Sequence, residues 1–284
     1  MSLIGRSFID RIKKTISHKV LLPCPPYGSA SYWDGVYKTL GPDDAFEWGN
    51  FDLSELIHHE YNERVHSKTL AQAGYPPKTA IKGTTKTNYV DNKGIISTTF
   101  GEALGIHPYK ESSSKRRILN IGCGNSRFGE DLVLNGWCSS DMKVQNVTGK
   151  VTQIDISQKV LSSMSQRCNG LIEKGVMDFI HDDATILSAF EDNTISAAVD
   201  KGLVDSLFCA ESFDQINHVM KSVHRVLKPG HKFIFFSFSR PEYLLEHTLV
   251  NDSRRKMWNT VEIRELDSIV MYGYEKRKNN NRKR

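Results

Sequence analysis

From residue 117 to 275, short apolar runs alternate with stretches whose apolar residues recur every three to four positions. Ile118-Leu119-Asn120-Ile121, Val151–Ile154, Phe179-Ile180, Ile195–Val199 and Lys232–Phe238 read as strands. Between them lie helical patterns. Phe128, Leu132 and Val133 lead to Gly136, and Val160, Leu161, Met164 and Cys168 share one face behind a capping Ser157. A long helix follows Asp200-Lys201-Gly202, with Ile216, Val219, Met220, Val223, Val226 and Leu227 on its apolar face, and Lys228-Pro229-Gly230 stops it. Strand–helix alternation predicts an α/β fold, a mostly parallel sheet with helices on both faces. The end differs: Val261–Arg264 and Ile269–Tyr274, joined across Glu265–Ser268, read as a C-terminal antiparallel hairpin on the sheet edge.

Outside this region the pattern is weaker, and the chain divides into 1–26, 27–64, 65–115, 116–275 and 276–284. The first segment carries Arg6, Arg11, Lys13, Lys14 and Lys19 against a single acid, Asp10, with Leu3, Ile4, Phe8, Ile12 and Ile16 at roughly helical spacing. It reads as a surface helix or a frayed terminus of a cytoplasmic protein, or as a mitochondrial transit peptide. Residues 27–64 hold a dense aromatic patch, Tyr32, Trp33, Tyr37, Phe46 and Trp48. Those rings either pack a small helix on the main domain or form a lid over a bound cofactor. Residues 65–115, rich in Lys, Thr, Gly, Pro and Ser without a sustained period, read as a low-order insertion, and 276–284 as a basic solvated tail.

Composition excludes several classes. The formal net charge of +5 comes from 38 basic and 33 acidic residues, too balanced to imply stable nucleic-acid binding. The 5 cysteines are odd in number, none at Cys-x-x-Cys spacing and none beside a histidine cluster, which argues for reduced thiols and no metal site. No apolar run approaches the ~18 residues of a membrane span.

The candidate chemistry centres on Gly122-Cys123-Gly124-Asn125-Ser126, after the first strand. Strand, Gly-x-Gly, helix is how open α/β folds bring backbone close to a nucleotide-like ligand, and Asn125 or Ser126 can cap the helix. In such sheets ligands bind at the carboxyl ends of strands, and here three successive strands end in Asp155, Asp183 and Asp200. A carboxylate closing the second strand can accept from both hydroxyls of a ribose. A redox-dinucleotide fingerprint needs a third glycine where Arg127 stands, so an adenosine ligand without a pyrophosphate fits better than NAD.

Gly122-Cys123-Gly124-Asn125-Ser126, Asp155-Ile156-Ser157, Asp200-Lys201-Gly202-Leu203-Val204-Asp205 and the aromatic prelude resemble the class I S-adenosylmethionine-dependent methyltransferases. Within that family they resemble the seven-strand branch that methylates lysine on translation elongation factor 1-alpha, the methyltransferase-like 13 type. The resemblance covers roughly 27–64 and 116–275; the insert and the loop 139–150 depart from it. It implies a Rossmann-like seven-stranded sheet, S-adenosyl-L-methionine as cofactor and a protein substrate. Gly122 and Gly124 would approach the methionine part, Asp155 would hold the ribose and Ile156 would lie beside the adenine. Asp183 would accept from the adenine amino group and Ala184 would donate its backbone N–H to the ring. Trp33, Tyr37 and Trp48 would cover the cofactor, and Lys201 matches a position at the cofactor site.

The implied reaction is in-line displacement at a sulfonium carbon by a neutral amine. A free lysine has a pKa of ~10.4, so the site must desolvate and orient it. Asp200 and Asp205 are the candidate catalytic residues, placed to orient the amine. Two other readings share the fold: a small-molecule methyltransferase, and a scaffold protein that binds the cofactor without chemistry.

Overall fold

The run at 118–121 lies inside a seven-stranded sheet, and its strand, β1 (Arg116–Ile121), has parallel neighbours on both sides. A computed structural model describes residues 25–45, 116–134, 149–249, 257–265 and 269–278. The other strands are β2 (Gly149–Asp155), β3 (Met177–His181), β4 (Ala197–Lys201), β5 (Lys232–Ser237), β6 (Trp258–Glu265) and β7 (Val270–Lys276). Their order is β3-β2-β1-β4-β5-β7-β6, and β7 runs antiparallel to both its neighbours. The helices are α1 (Ala30–Val36), α2 (Phe128–Leu134), α3 (Gln158–Arg167), α4 (Asn169–Glu173), α5 (Leu203–Cys209), α6 (Phe213–Val226) and α7 (Pro241–Leu249). A 3₁₀ turn, Tyr37–Thr39, extends α1.

Side chains alternate between the sheet faces, as pleating requires. Leu119, Ile121, Ala198, Phe233, Phe235, Tyr272 and Tyr274 pack on one side with Val204, Leu207, Ile216, Val219 and Val223 of α5 and α6. Ile118, Ala197, Val199, Ile234, Phe236 and Met271 pack on the other with Phe128 and Leu132 of α2. The expected sheet with helices on both faces is therefore the observed one. Both expected apolar stripes are buried: Val160, Leu161, Met164 and Cys168 of the α3 region, and Ile216 to Leu227 along α6.

Some expectations are corrected. The long helix after Asp200-Lys201-Gly202 is two helices, because Glu211 turns into the left-handed region (φ 54°). The N–H of Glu211 then bonds Phe208 O at 3.0 Å and that of Ser212 bonds Leu207 O at 2.9 Å, closing α5 before α6 begins. β4 starts at Ala197 rather than Ile195, which makes only an isolated bridge to Leu227, so Asp200 lies within the strand. Helix α7 begins on Pro241, where the missing N–H costs nothing, a start signal the periodicity reading passed over. The C-terminal strands pair as expected, with β7 inside and β6 at the edge. The readings of 1–24, Trp48, the insertion up to 115, the loop 139–148 and the tail from 279 fall outside the described residues.

Candidate functional site

β1 pairs in parallel with β2 on one side and β4 on the other, so successive connections leave in opposite directions and open a crevice at their carboxyl ends. The glycine turn sits there. Gly122 (φ 57°) and Gly124 (φ 51°) are both left-handed, a conformation that costs other residues steric strain. A Cβ on Gly122 would stand 2.8 Å from Leu203 Cβ, and one on Gly124 2.8 Å from the Tyr37 hydroxyl. Of the two capping candidates, Ser126 serves α2, accepting from Phe128 N at 3.0 Å, while Asn125 Nδ2 donates to Asp44 O at 2.5 Å.

Of the three acids only Asp155 ends its strand: β3 stops at His181, two residues before Asp183, and Asp200 lies within β4, so each has a different environment. Asp155 accepts from Gly124 N through Oδ2 and from Ser157 N through Oδ1, each at 2.9 Å. Burial pushes its carboxyl above the ordinary range, against the backbone N–H groups and the nearby His181, which favour the ionised form. Asp183 Oδ1 accepts from Thr185 N at 2.8 Å and Thr185 Oγ1 at 2.7 Å. Its neighbour Asp182 knots the same loop, accepting from Ser188 N, Ser188 Oγ and Ala189 N. Ala184 O accepts from Ser222 Oγ at 2.5 Å, which pins that peptide to α6.

Asp200 is fully buried, and its two oxygens accept from Leu203 N at 2.8 Å and Val204 N at 2.9 Å, so it caps α5. Desolvation pushes its carboxyl up to about 7. Asp205, also buried, accepts from Ser237 Oγ and from Phe238 N at 2.9 Å, tying α5 to the end of β5; desolvation pushes it up to about 6. Neither residue lines the cavity; Lys201, Gly202, Leu203 and Ser206 beside them do.

The N-terminal aromatics roof the crevice. Trp33 and Tyr37, one helical turn apart, stack with centroids 5.8 Å apart, and Tyr27 also stacks on Trp33, at 5.7 Å. Trp33 Nε1 donates to Tyr27 O at 2.6 Å. Burial, reinforced by Asp155, pushes the Tyr37 hydroxyl far above its ordinary range. Ser157 Oγ donates to Asp34 Oδ1 at 2.5 Å, fastening α1 to the start of α3.

The resulting cavity brings together Trp33, Tyr37, Gly122, Gly124, Asp155, Ile156, Asp183, Ala184 and Lys201. Lys201 is the basic side chain among its lining residues, and its ammonium lies 5.5 Å from the Phe128 ring centroid. Sequence reasoning missed Tyr27, Thr185, Ser206, Leu207, Gln215 and Val219, which also line it. Leu207 and Val219 had been indistinguishable from core, since a helix's apolar face reads alike whether it meets a sheet or a cavity. No helix of the described residues is long and apolar enough to cross a membrane.

The model for a methyltransferase domain matches residues 112–279, more than half of the chain. The chain belongs to the methyltransferase-domain family. Its cofactor is S-adenosylmethionine. Among curated relatives it is similar to the eEF1A lysine and N-terminal methyltransferase of Mus musculus, 31% identical over 223 residues, which is 77% of this chain and 22% of that protein. It is also similar to EEF1A lysine methyltransferase 4 of Mus musculus, 25% identical over 142 residues, covering 46% of this chain and 49% of that one. Demethylmenaquinone methyltransferase of Bacillus cereus is 30% identical over 125 residues, 44% of this chain and 49% of that enzyme. This methyltransferase-domain chain thus spans half or less of the length of each relative.

Proposed function

We propose that the protein is a protein-lysine N-methyltransferase acting on translation elongation factor 1-alpha or a similar protein. One observation carries the cofactor half of the reading: a glycine turn hydrogen-bonded to a strand-end carboxylate, Gly124 N to Asp155, lies under a roof of aromatic rings. The alignment with relatives named for eEF1A lysine methylation over 77% and 46% of the chain supports the protein substrate.

The donor set fits S-adenosylmethionine, which supplies an activated methyl group on a sulfonium cation. Asp155 spends one lone pair per oxygen on the backbone, and a carboxylate has about four acceptor sites, so it retains capacity for two ribose hydroxyls. Ile156 lies beside the base. Asp183, with Oδ1 held by Thr185, offers Oδ2 to an exocyclic amine, and the Ala184 N–H, one peptide before the carbonyl that Ser222 pins, is offered to the ring. Lys201 provides the cation for a ligand carboxylate. The backbone of Gly122 and Gly124 leaves room for the amino-acid part.

Trp33 and Tyr37 exclude water and turn aromatic faces toward a cation, which favours it by roughly 0.5–2 kcal/mol; Trp48 would belong to the same roof. The incoming lysine must arrive neutral, and loss of its hydration on entering the site disfavours its charged form. Asp200 and Asp205 act on the amine through α5: they hold the helix whose residues Leu203 and Ser206 line the cavity.

The test is incubation with methyl-labelled S-adenosylmethionine and a cell lysate. Label in one protein band near the mass of elongation factor 1-alpha, on lysine after hydrolysis, is expected. Label recovered only in small molecules would make the protein a small-molecule methyltransferase, and cofactor binding without transfer would make it a scaffold.

A further inference from the structure

Arg167, the last residue of α3, makes contacts that the cofactor assignment leaves unexplained. Its side chain is only 5% exposed, yet it lines no part of the cavity. A guanidinium has five N–H donors, and here they reach the glycine turn with the start of α2 on one side and the N-terminal segment on the other. Nε donates to Glu130 Oε1 at 2.7 Å, and Nη2 lies 2.5 Å from the same oxygen. Nη2 also donates to Ser126 O at 3.0 Å, and Nη1 to Asn125 O at 3.1 Å, both in the glycine turn. The remaining Nη1 bond, 3.2 Å long, reaches Pro42 O in the N-terminal segment, 125 residues away in sequence.

The same two pieces are joined beside it by Asn125 Nδ2 to Asp44 O, 2.5 Å, and by the Tyr37 hydroxyl resting against Gly124. Nothing about folding α3 itself calls for these carbonyl bonds. They tie the turn that approaches the cofactor to the segment that roofs it.

We propose that Arg167 is a positioning residue of the cofactor site: it holds the glycine turn and the aromatic N-terminal segment in one arrangement, so that ordering the turn and closing the roof are a single event. The proposal rests on the cavity being the cofactor site. A planar fork is required, because one ammonium cannot reach a carboxylate and carbonyls on opposite sides of it. Ligand affinity then depends on a side chain that does not touch the ligand, and the dependence passes through Trp33 and Tyr37.

A cycle on the full chain tests this, with S-adenosylhomocysteine binding followed by calorimetry. Arg167→Lys keeps the charge beside Glu130 and loses the fork; it is expected to weaken binding about tenfold with little change in ligand-free melting temperature. In a Trp33→Leu, Tyr37→Leu background, which has no roof to close, the same change is expected to alter affinity less than twofold. Wild-type-like binding by Arg167→Lys overturns the proposal. So does an equal fold-loss in both backgrounds, which would mean that Arg167 acts on the turn alone. If Arg167→Lys does not fold, Arg167→Gln with Glu130→Gln, which strands no buried charge, enters the same cycle under the same criteria. Failure of the wild type to bind S-adenosylhomocysteine would instead sink the cofactor-site reading itself.

Discussion

Replacing Asp155 by alanine separates two roles that the structure gives to one carboxylate. The first is internal. Gly124 N and Ser157 N, each 2.9 Å from an Asp155 oxygen, lose their acceptor, and a buried donor left unsatisfied costs about 1–3 kcal/mol. Apo stability should therefore fall by a few kcal/mol at most, since water can enter the space. The second role is toward the ligand. Hydroxyls that lose a charged acceptor lose about 1.5–3 kcal/mol, or roughly tenfold to a hundredfold in Kd.

Calorimetry with S-adenosylhomocysteine measures the sum. The same titration with its 2′-deoxy analogue isolates the ligand part. Removing the hydroxyl should weaken binding to the wild type and make little further difference to Asp155→Ala. A cooperatively folded Asp155→Ala that binds S-adenosylhomocysteine within twofold of wild type would refute the assignment. So would a full additional loss with the deoxy ligand.

The remaining predictions are more local. Gly122→Ala should lose about 1–2 kcal/mol from its left-handed backbone alone, plus the contact with Leu203 Cβ, which is rooted on the main chain and cannot swing away. Gly124→Ala carries the same left-handed cost but meets only the movable end of Tyr37, so it should lose less stability than Gly122→Ala; urea unfolding that finds both variants equal to wild type would contradict the strain argument. Trp33→Leu with Tyr37→Leu keeps much of the apolar burial, so apo melting should stay near normal while the shift on adding cofactor shrinks. Collapse of apo stability with a surviving shift would make the rings core.

Burial pushes Asp200 up to about 7, so the folded state holds a proton that the unfolded chain releases near 4. Its stabilising contribution is full below pH 4 and lost as pH rises through about 7. Asp200→Asn removes this titration, so its stability difference from wild type should move in its favour as pH rises from about 4 to about 7, on top of a constant loss from the one N–H its amide cannot accept; parallel pH profiles in denaturant unfolding would exclude a raised Asp200.

Much of this was legible in the residues. The stripes of α3 and α6 and the alternation along the strands depend on periodicities that repeat within one element, so local spacing reveals them. The glycine turn and Asp155 were legible because their geometry is set within a few residues of a strand end. Asp200 shows where that stops. Whether β4 ends at 199 or at 201 decides which of Asp200 and Lys201 meets the cavity, and pairing with β1 and β5 sets that end. Asp205 likewise finds Ser237 and Phe238 only because α5 packs beside β5.

By itself, the sequence determined the α/β class, the strand-and-helix succession and the turn that offers backbone to a ligand. Each follows from short-range sterics and burial. Only the tertiary structure decided the strand order, the burial of Asp200 and Asp205 behind the cavity wall, and the meeting of Arg167 with Pro42. Those contacts join residues far apart in the chain, and no local preference encodes them until the sheet has brought the pieces together.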